Sequence, residues 1–387
     1  MGEAGGALWI GLMSGTSADA VDAALVRIGP DPSLLELRAQ AQVALDEALR
    51  RRIHEAAQGT VALRDLVDLD RALGERFAEA ALQVVERGGV AASQVEGIGS
   101  HGQTLGHFPE DAVRGTWQTG SPSVIHERTG IPVIADFRSA DMAAGGQGAP
   151  LTPFLHHARF ASADEPRAVL NIGGFTNVTF LPDLDAARVV AFDPGPGNAL
   201  LDRAARAASG GERRFDRGGE SALRGRVCED AVAALLGHPY FDKAPPKSTG
   251  HEEFDSAFFE RARALVDAQG GGPDDLMATL AALTVRTVVA AARRFAPVPP
   301  ARWIVYGGGT ENPALMRGLE ERLAPAPIET SDAYGLPASA VEAVAFALLG
   351  FCGARGLPSN LPAATGARRP VSLGAATPPG AFARRPG

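Results

Sequence analysis

Trp9-Ile-Gly-Leu-Met-Ser-Gly-Thr-Ser-Ala-Asp-Ala-Val-Asp-Ala-Ala-Leu-Val-Arg27 reads as an apolar strand, a turn of Gly, Ser and Thr, and an alternating strand carrying two carboxylates. Two meanings fit it. Successive backbone N–H groups and hydroxyls can converge in such a turn into a concavity for phosphate oxygens. Gly11 and Gly15 would let the backbone approach a ligand closely, and an Asp just past the turn suits Mg²⁺ or a water. A tight hairpin whose Ser, Thr and Asp satisfy their own backbone fits as well. Taken alone, the segment favours that plainer meaning.

The surrounding chain changes the balance. Residues 34–45 alternate as a half-buried third strand, and 46–57 and 62–88 show helical periodicity ending at Gly88-Gly89. A short strand at 95–99 runs into Ser100-His-Gly-Gln-Thr104; a helix near 122–129 and a strand at 131–137 follow. The second half repeats the opening. A strand from Arg167 enters Gly173-Gly174, Asn177-Val-Thr-Phe-Leu181 leaves it, and a third strand at 188–192 delivers Asp193-Pro-Gly-Pro-Gly-Asn198 before a helix. An Ala-rich helix (about 274–296), a strand at 303–306 entering Gly307-Gly-Gly-Thr-Glu-Asn-Pro313, and an amphipathic helix from Ser339 to about Leu349 complete the pattern. The same order twice predicts an α/β protein of two duplicated lobes, which commonly hold a ligand in the cleft between them. Residues 140–153 read as a Gly-rich bridge and 370–387 as a disordered tail.

Composition sets limits. A chain of 387 residues, 45% hydrophobic and 21% charged, fits a globular protein of two domains. Its net charge of −8 argues against nucleic-acid binding through a basic face. Cys228 and Cys352 are too few for a disulfide framework or structural zinc, and fit buried, inert thiols in a reducing compartment. No signal peptide or membrane-spanning stretch stands out, so a cytoplasmic location is expected. Only Lys243 and Lys247 are lysines, and no Walker-type G-x-x-x-x-G-K-[ST] occurs.

Each candidate group has a plain and a functional meaning. Glycines after strands often mark only bends, yet two at equivalent repeat positions plus a triple glycine are better explained by a shared anionic ligand. Asp193 sits among two prolines and two glycines, which restrict how its carboxylate is presented, as a general base requires; Asp opening a turn is equally common. Ser100–Thr104 and Ile134-Ala-Asp-Phe-Arg138 set polar groups at strand ends, where α/β ligands sit and where ordinary loop residues sit too. Ser339-Ala-Val-Glu342 is a capping-box pattern. His156-His157 lacks partners at ligand spacing, and the loop Pro245-Pro-Lys-Ser-Thr-Gly-His251 places its lysine near phosphate or substrate.

Together these segments resemble the anhydro-N-acetylmuramic acid kinase family, within the actin/hexokinase/Hsp70-like ATPases. The resemblance rests on Gly11-Leu-Met-Ser-Gly-Thr-Ser-Ala-Asp-Ala-Val-Asp22, Ser100-His-Gly-Gln-Thr104, Ala135-Asp-Phe-Arg-Ser-Ala-Asp141 and Gly145-Gly-Gln-Gly-Ala-Pro-Leu151. It continues through Leu170-Asn-Ile-Gly-Gly-Phe-Thr-Asn177, Asp193-Pro-Gly-Pro-Gly-Asn198, Pro246-Lys-Ser-Thr-Gly250 and Gly307-Gly-Gly-Thr-Glu-Asn312, spanning roughly 8–369 in order.

The resemblance implies two ribonuclease H-like lobes with a cleft between them, lobe I at 1–140 completed by a C-terminal helix (about 339–369) and lobe II at 141–338. It implies a kinase that uses ATP, Mg²⁺ and a water to open the 1,6-anhydro bridge of its amino sugar and phosphorylate O6. Gly15, Thr16, Ser17, Ala18, Asp19, Ala20, Val21 and Asp22 match the family's phosphate turn, with Gly173 and Gly174 opposite and Gly308, Gly309 and Asn312 on the adenosine side. Asp19 is the metal candidate. Asp193 matches the catalytic aspartate, and His101, Gln103, Thr104, Asp136, Arg138 and Glu342 fall where the family meets the sugar. Implied partners are the small amino sugar alone, without nucleic acid or membrane, in a chain that leaves room for a homodimer.

Three departures stand out: Ala20 where the family usually has Gly, Pro194 where Thr is usual, and His251 where Arg is usual. None removes a carboxylate. Two rivals are an ordinary hydroxyl kinase on another sugar and a nucleotide-gated binding module; no separate partner-binding domain follows the second lobe.

Overall fold

The computed structural model describes residues 6–15, 17–109, 114–250 and 253–382. The chain divides into two compact units, Met1–Arg159 with Ala340–Gly387, and Phe160–Ser339. The first unit thus runs on to Arg159, because the Gly-rich stretch after Ala140 is tied into it: the buried Asp141 carboxylate accepts from Gly148 N (2.8 Å), Asn360 Nδ2 (2.6 Å) and Thr365 Oγ1 (2.7 Å).

In the first unit, β1 (Ala7–Met13) pairs antiparallel with β2 (Ala20–Ile28), and β2 with β3 (Leu35–Ala44). On its other side β1 pairs in parallel with β4 (Val95–Ser100). A separate hairpin, β5 (Gln103–Phe108) and β6 (Gly115–Thr119), escaped the sequence reading. β7 (Val133–Ala135) pairs in parallel with β4. Ala375–Thr377, expected in a disordered tail, instead forms an antiparallel edge strand on β7, and Phe382 stacks on Trp9 at 5.5 Å. The Pro- and Gly-rich composition of the tail hid that pairing.

The helix Val341–Ala354 covers β1 and β4, and glycines decide how closely. A Cβ on Gly11 would lie 1.7 Å from Ala343 O, and one on Gly99 would lie 1.9 Å from Phe346 O. Backbone therefore packs on backbone, and Gly350 completes the contact against Gly99 Cα. Gly11 serves this packing rather than a ligand's approach. The helix is apolar nearly all round, with Val341, Val344, Phe346, Leu348 and Phe351 buried; each such side chain contributes about 1.5–3 kcal/mol on burial.

The second unit repeats the plan. β8 (Arg167–Ile172), β9 (Phe175–Leu181) and β10 (Val190–Pro196) form an antiparallel meander. β11 (Arg302–Tyr306) and β12 (Ile328–Thr330) add in parallel beside β8. The strand orders, β3-β2-β1-β4-β7 and β10-β9-β8-β11-β12, are the same topology twice, as the ribonuclease H-like expectation requires. The helix Pro273–Phe295 is long and apolar enough to cross a membrane by length and composition, against the reading that no stretch reaches that length. Its buried Leu276, Leu280, Leu283 and Val288 place it in the core of this unit.

Gly11→Ala is expected to lower the unfolding free energy by about 1–3 kcal/mol, because the helix must move. A Cβ on Gly15 meets nothing within 4 Å, so Gly15→Ala should change stability by less than about 0.5 kcal/mol. Urea titration of the two variants checks the contrast.

Candidate functional site

In the first unit, β1 ends at Met13 and the turn is held from within. Ser14 Oγ donates to Gln103 Oε1 (2.7 Å) and to Ala20 O (3.0 Å), and Gln103 Nε2 donates to Gly15 O (3.2 Å). Ala18 N donates to Gly15 O at 3.0 Å, with Ala18 at φ 51°. Ala18 and Asp136 (φ 60°) are the non-glycine residues with positive φ among those described, and both lie in expected site segments. Such strain gathers at ligand-binding places. Thr16 lies outside the described residues. Ser17 is exposed, Ala20 pairs with Ala44, and Val21 points into the core, so Val21 can offer only its backbone.

The charged residues of the turn have partners. Asp19, the metal candidate, is exposed and pairs with Arg50 at 2.7 Å. Asp22 accepts from Gln42 Nε2 (2.7 Å), and burial raises its pKa above the ordinary carboxylate value. Among the described residues no group of three or more His, Cys, Asp or Glu is placed to hold a metal.

Arg138, His101 and Glu342 meet in the same unit. Arg138 Nε (3.1 Å) and Nη2 (2.8 Å) both point at His101 Nε2, and Nη1 donates to Gly148 O (2.8 Å). His101 Nδ1 faces Gly102 O at 2.9 Å. Nδ1 therefore carries the proton and Nε2 accepts. Burial, then Arg138, holds the His101 pKa well below 6.5. Arg138 itself is lowered by burial to about 10, against the pull of Glu342 and Asp141, and stays cationic at neutral pH. Glu342 is pushed up by burial and by Asp22, with Arg138 opposing. The capping-box reading of Glu342 fails: the helix is capped at Ala340 without a side-chain bond, and Glu342 is its second residue. Phe346, one turn on, packs its ring 4.5 Å from that of His101. Of the other expected sugar contacts, Thr104 Oγ1 accepts weakly from Gln118 Nε2 (3.4 Å), and exposed Asp136 accepts from Ser139 Oγ (2.6 Å).

The second unit gathers its groups around Asp193. Pairing between β10 and β9 shifts register between Phe192 and Gly195. Pro194 has no N–H for the ladder, and it is tolerated because β10 is an edge strand. Such a bulge re-aims a side chain. Asn177 Nδ2 donates to Asp193 Oδ1 (2.5 Å), while Asn171 Nδ2 donates to Asn177 Oδ1 (3.3 Å). Thr249 N donates to Asp193 Oδ2 (3.0 Å). The main chain is held too: Asp193 N donates to Lys247 O (3.1 Å), and Tyr240 OH donates to Asp193 O (2.7 Å). Asn177, Tyr240 and Thr249 were missed as functional residues, since each meets Asp193 only through folding. Lys247, read from sequence as lying near phosphate or substrate, is buried under this strand, with Nζ 4.6 Å from the Tyr240 ring centre.

Glycines sort by what surrounds them. A Cβ on Gly173, Gly174 or Gly308 would meet no atom closer than 3.6 Å, and none of the three has positive φ. Neither a positive φ nor packing accounts for these three glycines. Gly309 differs: its Cβ would strike Ile172, so it serves strand packing. The carbonyls of Gly173 and Gly174 accept from Asn198, Gly197 and Ala199 N, tying the turn to the helix Asn198–Ala208. Beside it lies a cavity of about 250 Å³ lined by Asn198, Asp202, Phe215, Asp216, Gly308 and Asn312. Asn312 also caps the helix Pro313–Leu323 through Ala314 N (3.0 Å). Cys228 and Cys352 are buried and free, and burial raises Cys352 to about 12.

A family model described as anhydro-N-acetylmuramic acid kinase matches residues 7–379. The chain is 45% identical over 376 residues to the anhydro-N-acetylmuramic acid kinase of Xanthomonas axonopodis pv. citri (strain 306), covering 96% of this chain and 98% of that protein. It is 44% identical over 375 residues to the enzyme of that description from Streptomyces coelicolor, covering 95% and 93%. Among solved structures, the ADPNP-bound activator of 2-hydroxyisocaproyl-CoA dehydratase from Clostridium difficile aligns with TM-score 0.44 and 11% identity over 89% of this chain and 94% of that one.

Burial also lowers His107 to about 4 and His156 to about 3. Unfolded, these two and His101 take up protons below pH 6.5 that the folded state refuses, so the unfolded state gains as pH falls through that value. The urea midpoint is expected to drop between pH 7 and pH 5. A midpoint equal at the two values would show that the three histidines titrate normally in the fold.

Proposed function

The chain belongs to the anhydro-N-acetylmuramic acid kinase family, and from that premise we propose which of its residues perform the reaction. The enzyme is a phosphotransferase of amino-sugar metabolism that consumes ATP and water, opens the 1,6-anhydro ring and gives N-acetylmuramic acid 6-phosphate and ADP.

Asp193 is the general base, and the way its carboxylate is held carries this assignment. One oxygen is fixed by Asn177 and the other by Thr249 N, so the group is oriented before substrate arrives, as proton abstraction requires. Asp193 takes a proton from water, and the resulting hydroxide attacks C1. The C1–O6 bond breaks, O6 attacks the γ-phosphorus, and the bond to ADP breaks.

ATP fits the open glycines. In the first unit Gly15 and Ser17, with the backbone of 18–22, offer a phosphate turn, and in the second unit Gly173, Gly174 and Gly308 leave their backbone open to a phosphate. The cavity beside Gly308 and Asn312 takes the adenosine. Mg²⁺ would enter as MgATP, held by phosphates, waters and one or two carboxylates; Asp19, paired with Arg50 at 2.7 Å, is the candidate in the phosphate turn. His101, Gln103, Thr104, Asp136, Arg138 and Glu342 contact the sugar. Dependence on ATP supports a cytoplasmic location.

Asp193→Asn should lower kcat by about 10²–10⁴-fold with little change in KM for ATP. With wild-type enzyme in ¹⁸O-water, the sugar phosphate should carry one labelled oxygen at C1. A phosphorylated product without label would remove water from the mechanism, and a variant at wild-type rate would remove Asp193. Arg138→Leu should raise KM for the sugar about tenfold, the loss of one charged hydrogen bond, and leave KM for ATP unchanged.

A further inference from the structure

A buried ammonium lies beneath Asp193 and touches neither an expected substrate contact nor an open surface. Lys247 is 8% exposed. Its Nζ donates to Tyr240 O (3.2 Å) and Phe241 O (3.5 Å), and lies 4.6, 5.4 and 5.6 Å from the ring centres of Tyr240, Phe295 and Phe192. Burying a charge is costly unless it is well partnered. Packing alone would be met as well by an apolar side chain of the same length.

The contacts show what the charge joins. Tyr240, whose carbonyl takes the ammonium and whose ring lies under it, donates its hydroxyl to Asp193 O. The carbonyl of Lys247 accepts from Asp193 N, and two residues on, Thr249 N donates to Asp193 Oδ2. One side chain thus ties together two segments, 240–241 and 247–249, that between them grip Asp193 at three atoms.

We propose that Lys247 is a positioning residue for the reaction, its ammonium locking these two segments so that the Asp193 carboxylate is presented in one geometry. The inference rests on Asp193 being the base. Pro194 makes such a lock more needed in this chain, because it removes the neighbouring N–H that could have helped fix the strand.

Burial lowers the Lys247 pKa to about 8, helped by Arg294 and Lys243 and opposed by Asp193 and Asp242. The ammonium is therefore half lost near pH 8, present below about pH 7 and lost above about pH 9. Arginine keeps its charge throughout that range.

The test is steady-state kinetics from pH 6.5 to 10 on wild type, Lys247→Met, Lys247→Arg and Asp193→Asn. Lys247→Met should lower kcat by about 10–100-fold, the scale of a small misplacement of a reacting group, while both KM values stay within about twofold. Lys247→Arg should recover kcat to within about threefold and abolish the decline that wild type shows above pH 8. Lys247→Met at the wild-type kcat overturns the proposal. So does a Lys247→Arg enzyme that declines above pH 8 as wild type does. Should Lys247→Met fail to fold, the comparison of wild type with Lys247→Arg decides alone. Asp193→Asn separates the two ideas: if it is inactive while Lys247→Met is fast, only the lock is wrong, and if it is active, the base assignment falls first.

Discussion

The contact on which the first unit depends is backbone against backbone: the helix Val341–Ala354 seated on β1 and β4 through Gly11, Gly99 and Gly350. Any larger side chain there would lift the helix by the depth of a methyl group. Its seat also fixes Glu342, at its first turn, close enough to Arg138 and Asp22 to feel both charges. One turn on, it lays Phe346 against His101. Burial by the same packing keeps His101 neutral and makes Arg138 the charged member of the pair.

The second unit solves the same problem differently. Its central carboxylate sits on an edge strand, where regular pairing cannot hold it and Pro194 prevents it. Side chains and loops take over: Asn171 orients Asn177, Asn177 orients Asp193, and the Tyr240–Lys247–Thr249 contacts close from the opposite side. Such polar networks favour one geometry, because most alternatives strand a buried donor or acceptor.

Much of this was legible in the chain. The double meander, the glycine turns and Asp193 at a strand end follow from periodicity and turn chemistry, which are local. The strands at β3 and β8 lie within a residue or two of their expected bounds. Glycines were less legible. Gly11, Gly15, Gly173 and Gly309 look alike in sequence, yet two fill packing contacts and two have room for a Cβ. What a glycine is for depends on which atoms arrive next to it, and those come from distant segments.

The sequence by itself determined the α/β class, the repeated topology and the family, because each rests on patterns carried within short stretches and on their order. Only the tertiary structure decided that Lys247 is buried, that Glu342 is not a capping residue, that Asp19 belongs to Arg50, and that Ala375–Thr377 is a strand. Each of these is a question of partners. Burial, charge pairing and edge pairing join residues that no local period relates, so they exist only once the chain has closed on itself.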